Sequence, residues 1–195
     1  MVLYILNRQK IRLLIILLIS LLLFGFTHDI NKTEIIGPEI KYHNNEIIVK
    51  TTLSLEEKYI QEIKNGIKKE FIFYIDIYRV WNIWPDEFIT GKTITRTLKY
   101  DLIKNDFLAS SNDGNTIIKK RFKSLESMLD WALSIEDLKL AELNELDKGT
   151  YYVRVTVESK IRKLPPVIGY FMVFISETEF KLKKNSNNFF IGHSK

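Results

Sequence analysis

A chain of 195 residues with 46% hydrophobic and 12% aromatic side chains can bury a core of its own, which excludes wholesale disorder. Its net charge of +5 divides unevenly: Arg8, Lys10 and Arg12 supply +3 before residue 28, leaving +2 for the rest, too little for the concentrated basic face of a nucleic-acid binder. Cysteine is absent, and with it disulfides, thiolate metal sites, thiol nucleophiles and lipid attachment through cysteine.

Residues 1–12 are a basic n-region, and 13–27 form an uncharged run, Leu13 to Thr27, dominated by Leu and Ile. This is the layout of a signal peptide or signal-anchor helix. Its length falls short of the roughly 20 residues of a comfortable bilayer span, although a helix that includes Ile11 lets Arg12 snorkel. No small-x-small cleavage site stands out, with Ser20 and Gly25 the only small residues nearby, which favours an uncleaved anchor. Positive charge precedes the run, whereas Asp29, Lys32 and Glu34 after it are mixed. The positive-inside rule then keeps the N-terminus in the cytoplasm and places the rest on the periplasmic or extracellular side of a cell membrane, or secretes it if the signal is cleaved.

Residues 28–38 read as a polar spacer ended by Gly37-Pro38, and 39–192 as the exported domain. Glu39 to His43 and Glu46 to Leu53 are expected strands across an Asn44-Asn45 turn. Ser54-x-x-Glu57 predicts a capping box, and Leu55, Tyr59, Ile63 and Ile67 an apolar helix face that Gly66 stops. Phe71 to Val80 alternates, with Phe71, Phe73, Ile75 and Ile77 on one face. Ile94, Leu98, Tyr100 and Leu102 alternate with Thr93, Thr95, Thr97 and Lys99 in a further strand. Asn112-Asp113-Gly114-Asn115 is a hairpin turn, because Asp-Gly accepts positive φ, and a strand to Phe122 follows it. Ser124 caps a second helix lined by Leu125, Met128, Leu129 and Ala132. After the turn Asp147-Lys148-Gly149, Tyr151 to Glu158 has the clearest period-2 pattern in the chain, ended by Leu164-Pro165-Pro166. Val167 to Ile175 suits a buried strand, and Phe180 to Phe190 a last one. The fold expected is mostly β: an antiparallel β-sandwich or open barrel with two short inserted helices, preceded by the N-terminal hydrophobic helix.

Chemistry is sparse. Only His28, His43 and His193 are present, and there is no HExxH, no G-x-S-x-G, no S-x-x-K and no phosphate-cradling glycine loop. Pairs such as Asp86/Glu87 and Asp101/Asp106 are what chance gives among 24 acids. No catalytic residue, cofactor or metal is therefore expected. The aromatic block Phe71, Phe73, Tyr74, Tyr78, Trp81, Trp84 has two readings. Core packing is favoured, with Trp81 and Trp84 closing one end of the sandwich; alternatively Tyr74, Tyr78, Trp81 or Trp84 presents an interaction surface, since Tyr and Trp anchor interfaces. Lys181, Lys183 and Lys184 are read as decorating an exposed strand edge in preference to touching anionic lipid.

Several landmarks come in a characteristic order. They are the strand Phe71–Trp81 with Ile77-Tyr78-Arg79, then Leu98-Lys99-Tyr100-Asp101-Leu102, then the hairpin leading to Phe122-Lys123-Ser124-Leu125-Glu126, the strand Tyr151–Glu158, and the Leu164-Pro165-Pro166 stop. Over roughly residues 39–185 this set resembles an uncharacterised bacterial family, the domain of unknown function DUF4390. The resemblance implies an N-terminal anchor, an exported domain without assigned catalytic residues, and, from the sensor histidine kinases often encoded nearby, a link to membrane signalling. That family carries tryptophans near a serine late in the chain; here Ser176 is followed by Glu177, Thr178, Glu179 and Phe180, so no role for those aromatics transfers.

The function expected first is a non-enzymatic, membrane-anchored accessory module for protein interaction or sensing, with a membrane signalling protein as partner and no nucleic acid. An envelope carrier of a lipid or other apolar ligand comes second. A hydrolase with an unrecognised site, built on Asp101 and a neighbouring acid, comes third.

Overall fold

A computed structural model describes residues 32–160 and 178–192. The apolar N-terminal run, the Leu164-Pro165-Pro166 stop and the expected strand Val167 to Ile175 lie outside the described residues.

The chain is mostly β, in open antiparallel sheets, with two α-helices among the described residues. A smaller sheet is built from β1 (Glu34–His43), β2 (Glu46–Ser54) and β7 (Ser134–Glu142), in the order β1-β2-β7. The larger sheet contains β3 (Lys69–Arg79), β4 (Glu87–Asp101), β5 (Asp106–Asn112), β6 (Ile117–Phe122), β8 (Gly149–Lys160), β9 (Thr178–Asn185) and β10 (Phe189–Ile191). Its order is β10-β8-β3-β4-β5-β6, with β9 also paired to β8. Helix α1 spans Glu57–Lys64, and α2 spans Leu125–Leu133.

Local chemistry sets the turns. Asn44 and Asn45 both take positive φ, 47° and 66°, which a two-residue hairpin whose twist matches its strands requires. Gly114, at φ 92°, supplies the positive φ in the longer loop, residues 113–116, between β5 and β6. Helix α1 stops in a Schellman arrangement: Gly66 N donates to the Ile63 carbonyl and Ile67 N to that of Glu62, both at 2.9 Å, with Gly66 at φ 82°. Ser124 caps α2 as expected, its hydroxyl accepting from Ser127 N at 3.2 Å.

The start of α1 differs from expectation. Ser54 is the last residue of β2, the helix is preceded by Glu56, and no capping box forms. The buried Thr33 takes over: its hydroxyl accepts from Glu56 N at 3.1 Å while its own N donates to the Glu56 carboxylate at 3.3 Å. Thr33→Ala should therefore cost about 1 kcal/mol in equilibrium denaturation, whereas Ser54→Ala should change stability by less than about 0.5 kcal/mol.

Strand parity places the core. Phe71, Phe73, Ile75 and Ile77 of β3, with Val153, Val155 and Val157 of β8, are fully buried on one face. They share a single hydrophobic cluster with Ile35, Ile47, Val49 and Leu53 of the smaller sheet and with Tyr59, Ile63, Met128 and Ala132 of the helices. Ile67 and Leu102, expected on apolar faces, are exposed instead, because each lies just past the end of its element. Arg96 shares the inward face of β4 with Ile94 and Leu98, and its guanidinium lies 4.5 Å from the Trp131 ring centroid. Lys69 is a buried cation, 3% exposed, with Glu62 of α1 and Glu179 of β9 as ion-pair partners.

Candidate functional site: an aromatic loop on a charged sheet face

Odd residues of β3 point into the core, so Tyr74, Asp76 and Tyr78 emerge on the opposite face of the large sheet. Antiparallel pairing sets Tyr78 beside Tyr152, Asp76 beside Arg154 and Tyr74 beside Thr156 of β8. The rings of Tyr78 and Tyr152 stack at 5.4 Å with an interplanar angle of 11°. Arg154 lies over both, its guanidinium 4.4 Å from the Tyr78 centroid and 5.3 Å from that of Tyr152. It also donates to the Tyr152 hydroxyl at 2.7 Å and, through Nε, to Asn185 Oδ1 of β9 at 3.1 Å. A planar cation stacked on rings and held by two acceptors is a fixed donor, not a free one.

This cluster anchors the segment joining β3 to β4. The Tyr152 hydroxyl donates to the Asp86 carboxylate at 3.0 Å, and Phe88 meets Tyr78 edge-on at 5.8 Å. At the loop's other side Trp81 Nε1 donates to Glu87 at 3.1 Å, and the Arg79 guanidinium sits 4.5 Å from the Trp81 ring centroid. Between these ties Ile83 and Trp84 stand out, 90% and 75% exposed. Trp81 and Phe88 are exposed at the base. The loop thus presents four large apolar side chains on a tethered base.

Burial acts on the ionisable groups beneath. It pushes the Asp76 carboxyl above its ordinary value, against the opposing pull of Arg154. The Tyr152 hydroxyl is raised by burial and by its bond to Asp86. Gly91 of β4 lies against them, and a Cβ there would overlap the Asp76 carboxylate unless that side chain moved. A shallow cleft of about 360 Å³ runs along this face from Tyr78 and Arg154 to Lys181 and Lys183.

Of the four residues singled out from sequence, Tyr74 and Tyr78 line that cleft, Trp81 forms the loop base and Trp84 its tip. Trp81 and Trp84, expected to close one end of the sandwich, are both exposed instead. Sequence reasoning missed Ile83, Phe88 and Arg154; an arginine two residues from a tyrosine on the polar face of an alternating strand was the signal that could have found the last. Asp86 and Glu87, read as a chance pair, hold the loop. Asp101 accepts from the amides of Ile103 and Lys104 at 3.2 Å each and so closes the turn between β4 and β5. His43 is exposed at the end of β1, and His28 and His193 lie outside the described residues. Among the described residues no group of three or more His, Cys, Asp or Glu could hold a metal ion.

A family model, described as Domain of unknown function (DUF4390), matches residues 32–186. No curated protein and no solved structure matches the chain.

Proposed function

We propose that this chain, which belongs to the DUF4390 family, is a non-enzymatic, membrane-anchored β-sandwich protein whose domain lies outside the cytoplasm and serves as a protein-interaction or sensory accessory module. The N-terminal basic and apolar residues support the anchor and its direction. The common core of the two sheets supports the sandwich.

The observation that carries the functional reading is the loop Trp81–Phe88. Exposing Ile83 and Trp84 on a tip costs solvation, and the base that carries the tip is held by the bonds of Asp86 and Glu87. A rigid aromatic anchor loses little conformational entropy on binding, which is why Trp and Tyr dominate interface hot spots. The partner proposed is another membrane protein, of which a sensor kinase is the leading kind.

Crosslinking in intact membranes, followed by affinity purification and mass spectrometry, tests this. One enriched membrane protein is expected with the native chain. Trp84→Ala should weaken that association by at least roughly 30-fold while leaving the denaturation midpoint unchanged, since the ring lies outside the core. Undiminished recovery with Trp84→Ala removes the loop from the interface; no enriched partner at all favours the carrier reading.

A further inference from the structure

A second exposed apolar end lies at the other terminus of β4, and its electrostatic surroundings are opposite. The turn between β4 and β5 projects Leu102 and Ile103, the latter 96% exposed. Ile67, just after α1, is exposed too. The two segments touch: a Cβ placed on Gly66 would lie 3.0 Å from Leu102 Cδ1. Both are held in shape, Ile67 by its 2.9 Å bond to the Glu62 carbonyl and Ile103 by its 3.2 Å bond to Asp101.

Cations line the sheet face that leads to this end. Lys68, Lys99, Lys119, Lys120 and Arg121 line a groove of about 480 Å³ on β4, β5 and β6, with Leu108 and Ala109 also in its lining and no carboxylate among the residues that form it. Lys104 adds another charge in the turn. Among the described residues, Lys68, Lys99, Lys104 and Lys119 form no ion pair. Asp101 is engaged by backbone amides, and Asp106 faces Arg121 at 3.4 Å. The lysines of β9 are differently placed: Lys181 pairs with Glu158 at 2.7 Å, and Lys184 donates to the Ile35 carbonyl at 2.8 Å.

Charge separates the two apolar ends. The Trp81–Phe88 loop carries Asp86 and Glu87, which an anionic surface would repel. At the Leu102–Ile103 end Asp101 is engaged by backbone amides and Asp106 by Arg121, so the charges left without a partner among the described residues are lysines, whose stems over an apolar floor suit the boundary between headgroups and acyl chains. We propose that the end formed by Ile67, Leu102 and Ile103, with Lys68, Lys99 and Lys119 around it, is a docking surface for a bilayer containing anionic phospholipid. The apolar side chains enter the headgroup layer, and each lysine near the surface favours docking by roughly 5-fold. This surface is separate from the loop proposed to bind a partner protein, and either can fail without the other.

The absence of cysteine allows a clean test on the full chain. A nitroxide on Ile103→Cys, where the native side chain supports no core contact, reports depth when the protein is bound to vesicles of phosphatidylcholine with or without phosphatidylglycerol. Accessibility to a water-soluble relaxant should fall several-fold only when phosphatidylglycerol is present, and high salt should restore it. Lys68→Gln, Lys99→Gln and Lys119→Gln together should shift the docking equilibrium by roughly 100-fold. A label on Trp84→Cys should stay aqueous throughout. Equal aqueous exposure at position 103 in both vesicles overturns the proposal, and so does protection that neither salt nor the lysine variants alter.

Discussion

Lys69→Met should destabilise the domain by about 3–5 kcal/mol, read from equilibrium urea denaturation. Lys69 begins the central strand of the large sheet, and its side chain is 3% exposed. Its ammonium bridges the carboxylates of Glu62 on α1 and Glu179 on β9, the latter at 2.5 Å. Glu179 also accepts from the Ser159 hydroxyl at 2.6 Å, and the Tyr59 ring centroid lies 5.2 Å from the ammonium. Methionine fills the volume but leaves two carboxylates facing one another across an apolar stem. Adding Glu62→Gln and Glu179→Gln to Lys69→Met should recover part of the loss, because amides do not repel. Burial pushes the Lys69 ammonium downward, but its hydrogen bonds with Glu179 and Glu62 outweigh this and hold it above the ordinary lysine value. A raised folded-state value contributes stability that is complete below roughly pH 10.4 and is lost as pH climbs through the folded value. The native chain should therefore lose stability at strongly alkaline pH by a component that the Lys69→Met profile lacks.

Phe73→Ala should cost about 3–5 kcal/mol, while Tyr74→Ala, one residue on, should cost less than about 1 kcal/mol. Phe73 is wholly buried, paired with Ile94 on one side and Val157 on the other, so its truncation leaves a cavity between hydrogen-bonded strands. Tyr74 projects to the opposite face and lines the open cleft. Comparable losses at both positions would contradict the register of β3. For a domain whose whole stability is about 5–15 kcal/mol, the first substitution approaches the limit of folding at all.

Strands buried on a regular alternation are legible from the residues alone, because period-2 patterning maps directly onto sheet faces. Phe71–Ile77 and Val153–Val157 behave so, and the Asn44-Asn45 and Asp113-Gly114 turns join the strands expected of them. What escapes are elements whose alternation is broken. Strand β7 has no counterpart among the expected strands: Asp137 takes φ 49° and the pairing with β2 shifts register twice, so polar and apolar residues fall out of step. Strand β1 begins at Glu34, ahead of the Gly37-Pro38 expected to end a spacer; an edge strand tolerates proline, and the register shift between Ile36 and Glu39 absorbs it. Glu57 fits a capping box in sequence, yet the stabilising side chain comes from Thr33, whose proximity no local pattern encodes. At the candidate site the aromatic residues are visible as a block, but their division is not. Adjacent strands decide which ring stacks on Tyr152 and which, like Trp84, is left at a tip, and Arg154 acquires its role only from rings on β3.

Strand β4 runs for 15 residues between the two apolar ends. At about 3.3 Å per residue, Phe88 and Leu102 stand roughly 45 Å apart along it, more than the depth of a bilayer's hydrocarbon core. The β3–β4 hairpin is therefore a stand-off as much as a core element. Docking of the Leu102–Ile103 foot on lipid, as proposed above, would hold the tryptophan tip clear of the headgroups, at a height that suits a partner with a projecting domain.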